Sequence, residues 1–306
     1  MIEQRDIVIA GGGMVGISLA LQLAACLPPE RRITLVEGFA LPPAAPGGRP
    51  DYHPSFDARS TALSYSTRLV YESIGIWPEL SRWLCPIETI HVSNRGRFGS
   101  TLLRAADYDW PALGYVVENA WLGNSLIQQL HRQQRVELLC PAKVIAAEPR
   151  SSGLDLTLEA EQPRQINARL LVVADGAGSG LREALGVSVA EKPYRQQALI
   201  ANVAFARPHE GCAFERFTDE GPLALLPLPG VTGAEHRSAL VWTLPPAQAE
   251  QLQDGDDEEF LGAWQDRFGY RLGRLRQVGE RHTYPLALTE STEQVRHSVV
   301  VMGNAA

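Results

Sequence analysis

The chain has 306 residues, 45% hydrophobic and 21% charged, which is ordinary globular usage and excludes a disordered polymer. That length suits two closely packed domains or one large α/β unit. A net charge of −7, with no block of Lys and Arg, argues against a nucleic-acid partner. Cys26, Cys85, Cys140 and Cys212 form no C-x-x-C pair, so reduced structural thiols in a cytoplasmic protein are expected, with no metal site. The N-terminus lacks the n-region and h-region of an export signal. No apolar run approaches the roughly 20 residues that span a bilayer. No transmembrane segment is expected; peripheral contact at the inner face of a membrane stays open.

In chain order, Ile7 to Ala10 reads as a buried strand, Val15 to Ala25 as a helix and Ile33 to Val36 as a second strand, together a βαβ unit. Leu41 to Pro54 is rich in Pro and Gly and is expected as a surface excursion, followed by a helix from Ser60 to Gly75. Glu88 to Val92 and Thr101 to Leu103 flank Asn94-Arg95-Gly96 as a hairpin. A helix over Leu122 to Leu130 precedes short strands at Val136 to Leu139, Val144 to Ala147 and Leu154 to Leu158. Leu170 to Ala174 is apolar throughout, as in a parallel sheet. The runs ALIANVAF, CAFERFT, PLALLPL and SALVWTL predict an antiparallel second domain, with a helix over Glu258 to Phe268 and a last buried strand at Ser298 to Met302.

Gly11, Gly13 and Gly16 fit G-x-G-x-x-G between a predicted strand and a predicted helix. The first glycine allows a tight turn, the second a close backbone approach to a pyrophosphate, and the third close packing of helix on strand. The pyrophosphate would rest on the helix N-terminus. Glu37 ends the second strand about 20 residues on, where a carboxylate accepts from an adenosine ribose hydroxyl. The same carboxylate disfavours a 2′-phosphate, leaving FAD or NAD.

A second constellation, Asp175-Gly176-Ala177-Gly178-Ser179-Gly180-Leu181-Arg182, follows the strand ARLLVVA. Asp175 would face the first turn's crevice, Ser179 would cap the next helix, and Arg182 could pair with Asp175 or with a phosphate. An ordinary strand-to-helix turn gives the same pattern. It resembles the D-G-x-x-S-x-x-R motif of the flavoprotein aromatic hydroxylases, and VVVMGNAA at 299–306 is similar to their third motif, usually Gly-Asp, with Gly303 and Asn304 in its place. Asn304 hydrogen-bonds hydroxyls without bringing charge. FDARSTALSYSTRLVYESIGIW, YVVEN, FERFTDEGPLALLPLP and YPLAL extend the likeness along nearly the whole chain, closest to the ubiquinone-biosynthesis members.

The resemblance implies a Rossmann-like, p-hydroxybenzoate hydroxylase-like α/β fold, its FAD-binding domain (1–85 and 111–190) interleaved with a mostly antiparallel substrate domain (86–110 and 191–290) and completed by a return strand (291–306). It implies FAD contacts at Gly13, Met14, Val15, Glu37, Arg59, Asn119, Val144, Asp175 and Gly176. Without it Arg59 reads as a solvated surface arginine and Asn119 as a helix cap. It further implies a monooxygenase using NADPH or NADH and O2 to hydroxylate a polyprenylated methoxyphenol through a flavin C4a-hydroperoxide. The cofactor then carries the chemistry, and no catalytic residue is nominated; His53, His91, His209 and His236 read as surface residues. Other ubiquinone-biosynthesis proteins are candidate partners. A halogenase or polyprenyl reductase on the same scaffold, an NAD dehydrogenase, and a non-catalytic flavin-binding scaffold are the alternatives. In the family, further helices follow the third motif, so a truncated form lacking these C-terminal helices, and much of the surroundings of the isoalloxazine and substrate, is expected.

Overall fold

The computed structural model describes residues 3–43 and 59–306. His53 and most of the expected Leu41 to Pro54 excursion lie outside them. Among the described residues are a largely parallel sheet, a largely antiparallel sheet and a small three-stranded sheet that packs between them.

The first sheet is centred on strand Glu3–Ala10, which pairs in parallel with Arg164–Val173 on one side and Ile33–Val36 on the other; Ile9 is opposite both Val172 and Leu35. Val136–Leu139 and Val299–Val301 extend it in parallel at either side. Ile33–Val36 is buried at every position because both faces of the sheet are covered. On one face, Ile17 and Leu21 of helix Met14–Cys26 and Leu122 and Leu126 of helix Asn119–Arg132 pack on Ile9 and Leu35. On the other, Val8, Ala10 and Leu171 meet Leu154, Leu156, Leu158 and Val144 of the hairpin Ala142–Arg150 and Gly153–Ala160.

The second sheet runs Leu275–Val278, Val189–Phe205, Arg237–Leu244, Pro222–Leu228, Cys212–Phe217, Thr89–Asn94, Ser100–Arg104, with His282–Ser291 also paired to Val189–Phe205. All its pairings are antiparallel except that of Cys212–Phe217 with Thr89–Asn94. Helices Pro246–Asp254 and Asp257–Phe268 cover one face through Ala249, Leu252, Phe260, Trp264 and Phe268. The expected βαβ opening, the 89–104 hairpin, the parallel-type strand before Asp175 and the antiparallel sheet are all present.

One local expectation needs correction, and one helix is additional to those expected. The helix expected from Ser60 begins only at Tyr65; Ser60–Ser64 is a strand paired with Gly114–Glu118, with Leu63 opposite Tyr115. The Ser64 hydroxyl accepts the Thr67 N–H at 3.2 Å, which starts the helix there, and Tyr65–Ser73 ends before Gly75. Helix Pro246–Asp254 was not anticipated, because it buries only Ala249 and Leu252 and so shows little apolar periodicity.

The four cysteines are free. No helix among the described residues is long and apolar enough to cross a membrane. Burial pushes the Cys85 thiol up to about 11, so it stays protonated and unreactive at pH 8, whereas Cys26 is exposed. Iodoacetamide at pH 8 should therefore label Cys26 and leave Cys85 unlabelled until denaturant is added, as read by peptide mass mapping. Trp264 is fully buried, stacked on Phe268 at 4.5 Å. Trp264→Ala should cost about 3–5 kcal/mol in urea unfolding, because the sheet and helix cannot close over the lost ring.

Candidate functional site

Strand Glu3–Ala10 delivers Gly11 to a point where three backbones meet. Gly11 N–H donates to Val36 O at 2.8 Å, and Ala174 N–H donates to Ala10 O at 2.8 Å. Gly11 has a φ of +113°, and a Cβ there would overlap the Ala174 carbonyl; a Cβ on Gly16 would overlap the Gly11 carbonyl. The chain can turn into helix Met14–Cys26 only with glycine at both places. That helix has Gly13 as its N-cap, no side-chain cap and no acid in its first turn. Its first N–H groups therefore point, without intrahelical acceptors, into a cleft of about 770 Å³ lined by Gly11, Gly13, Met14 and Val15.

The carboxylates lie around this positive end. Glu37 is 7% exposed, its two oxygens accepting the N–H groups of Gly12 and Phe39, and it lines the cleft. Asp175 lines the opposite side, with Oδ1 buried and hydrogen-bonded to nothing among the described residues. Gly176, Val144, Asn304 and Arg59 also line it. Gly303, at φ +64°, sets the Val15 side chain against its own Cα, which brings Asn304 beside the helix N-terminus.

Gly303 itself does not line the cleft, and three more sequence-selected residues stand elsewhere. Gly16 acts through packing alone. Arg182 is 4% exposed, and its guanidinium donates to the carbonyls of Ala177 at 3.2 Å and Ala305 at 3.0 Å. It pairs with neither Asp175 nor the cleft, because helix Gly180–Ala184, capped by Ser179, turns it back toward 303–305. Asn119 is not the cap of its helix: Glu118 holds the N-cap position, and Asn119 is buried, accepting from the Thr61 hydroxyl at 2.6 Å. Its N–H donates to Arg59 O at 2.7 Å, so it positions Arg59 from behind. The Arg59 guanidinium in turn lies 5.1 Å over the Tyr284 ring.

Phe39, Lys143, Glu159 and Glu161 also line the cleft. No sequence signal marked them, since the hairpin's placement beside the glycine turn depends on its pairing to Arg164–Val173. His91 and His209, both held below the usual histidine range chiefly by burial, are remote from the cleft. No cluster of metal-ligating side chains occurs among the described residues. The set can therefore hold a dianion at the helix end and hydroxyl donors at Glu37 and Asp175, the complement of a dinucleotide.

No protein-family model matches the chain. Ubiquinone hydroxylase UbiL of Rhodospirillum rubrum is 34% identical over 301 residues, 98% of this chain and 66% of that protein. The 3-demethoxyubiquinol 3-hydroxylase of Escherichia coli is 28% identical over 313 residues, 99% of this chain and 73% of that protein. The chain thus spans about two thirds of the length of these relatives. In fold it matches PqsL, a probable FAD-dependent monooxygenase from Pseudomonas aeruginosa, with a TM-score of 0.77 at 18% identity over 99% of this chain and 79% of that one.

Gly16→Ala should lower stability by on the order of 3 kcal/mol or more and abolish ADP binding in equilibrium dialysis, because the turn must move to admit the methyl group. Gly262→Ala, where nothing lies within 4 Å of the new Cβ, should leave ADP binding unchanged.

Proposed function

Because this chain belongs to the family of the ubiquinone hydroxylases, we propose that it binds FAD in the cleft and hydroxylates the ring of a polyprenylated methoxyphenol of ubiquinone biosynthesis, with O2 and NADPH or NADH as co-substrates. The observation that carries this reading is the uncapped N-terminus of helix Met14–Cys26 with the Glu37 carboxylate and the unpartnered Asp175 Oδ1 beside it. A buried acceptor with no donor is costly unless a ligand hydroxyl supplies one, and FAD carries such hydroxyls on its ribose and ribityl chain.

In this reading the first N–H groups of the helix and Arg59 hold the pyrophosphate, Glu37 accepts from the adenosine ribose, and Asp175 and Asn304 take the ribityl side. Bound FAD supplies the redox chemistry that activates O2. What the chain itself contributes is a dry, oriented surface for the ring, and the face of the antiparallel sheet opposite its two covering helices is the candidate.

The protein should purify yellow or take up FAD, and 2-methoxy-6-prenylphenol should raise its NADPH oxidation several-fold. A colourless protein that takes up no FAD removes the flavin assignment. FAD uptake with oxidation indifferent to the phenol removes the hydroxylase assignment and leaves a flavin-binding protein of other activity.

A further inference from the structure

The antiparallel sheet has two unlike faces. Phe214, Leu223, Trp242, Leu240 and Leu199 point to the two covering helices. The opposite face is itself divided. At Ala213, Leu228 and Ala239 it is sealed by Ile87 and Val116 of the small sheet. Two residues further along, strand register sets Val92, Glu215, Ala224, Val241 and Ile200 side by side across five strands. All five are only partly buried.

The Ile200 end of this strip lies one strand from Tyr284, whose ring is touched by a residue that lines the cleft. Ile200 is opposite His282, and Tyr284, two residues along on the same face, carries the Arg59 guanidinium that lines the cleft. From the strand of Tyr284 to that of Glu215 is four strand spacings, roughly 19 Å.

Glu215 is out of place on such a surface. It has no ion pair and no hydrogen bond among the described residues, its direct neighbours across the strands are Val92 and Ala224, and Ala213 and Phe217 flank it on its own strand. The neighbouring Arg216 points to the other face, where it donates to Arg267 O and Ser93 Oγ. A half-buried carboxylate without compensation destabilises the fold, and a ligand that donates to it removes that cost.

We propose that Glu215 is a catalytic residue whose carboxylate receives the phenolic O–H of the substrate ring lying against Ala224, Val241 and Ile200; this rests on the hydroxylase reading above. The phenol O–H bond breaks, its proton passes to Glu215, and the ring is left as the more electron-rich phenolate beside a neutral carboxylic acid. The same proton returns to the product's phenolate oxygen, so Glu215 ends as it began. Burial raises the Glu215 carboxyl above its ordinary range, which narrows the gap to a phenol and eases the transfer.

The test uses the FAD-loaded protein, with 2-methoxy-6-prenylphenol and its methyl ether, which lacks the donor, as ligands. The wild type should bind the phenol about tenfold more tightly than the ether, and Glu215→Ala should bring the two to within about twofold. Glu215→Gln keeps an acceptor but not a base, so it should retain most of the binding preference while kcat falls on the order of 100-fold with KM little changed. An unchanged phenol-to-ether ratio in Glu215→Ala, or an unchanged kcat in Glu215→Gln, overturns the role of Glu215 and leaves the hydroxylase reading standing. A wild type that takes up FAD but binds neither ligand overturns the hydroxylase reading itself.

Discussion

The close approach of three backbones around Gly11 is the constraint on which the rest depends. Strand Glu3–Ala10 must end against Ala174, turn, and send a helix back across its own carbonyl at Gly11, and no side chain larger than hydrogen fits at Gly11 or Gly16. Because the turn is that tight, the N-terminus of helix Met14–Cys26 emerges between the ends of Ile33–Val36 and Arg164–Val173. Glu37 and Asp175 each follow one of those strands, so both carboxylates are delivered to the same opening. Gly12 completes the lock: its N–H is held by Glu37, and a Cβ there would lie 2.8 Å from the Glu37 Cβ.

A second chain of contacts joins this opening to the antiparallel sheet. Asn119 holds the backbone of Arg59, and Arg59 reaches over Tyr284. One residue away, Glu118 pairs with Arg237 at 2.8 Å, so the start of a helix on the parallel sheet is fastened to a strand of the other sheet. Both partners of that pair are largely shielded from water, which makes its geometry better defined than that of an exposed pair. Polar side chains at 118–119 thus join apolar packing in fixing the relative placement of cleft and open sheet face.

What could be read from the sequence was what is local. The glycine spacing, the acid ending the second strand and the Ser179 cap each depend on residues within a few positions or one βαβ unit, and each is found where expected. What depends on tertiary pairing was hidden. Ser60–Ser64 looks helical by continuity with the turns that follow, and only its register against Gly114–Glu118 makes it a strand. Arg182 reads as a partner for Asp175 or for a phosphate because its actual partners, Ala177 and Ala305, are carbonyls that leave no mark in a sequence. Lys143 and Glu159 reach the cleft because a hairpin docks beside it. Glu215 was invisible for a related reason: within AFERF a charged residue is unremarkable, and only four neighbouring strands show that it stands alone on an apolar strip.

The order of strands in the parallel sheet also governs how the molecule reaches its native state. Ile7 is matched with Leu170, and Leu171 with Val299, so the sheet's centre is assembled from segments separated by more than a hundred residues. Each such match requires a large loop to close before any contact energy is returned, which slows folding and prolongs the exposure of apolar strands such as Ile33–Val36 and Val299–Val301. The apolar strands that make the finished sheet dry are, during that interval, surfaces on which two nascent chains can adhere. Productive folding in a crowded cell thus becomes a race between intramolecular closure and aggregation, one in which a chaperone that sequesters single chains has the most to contribute.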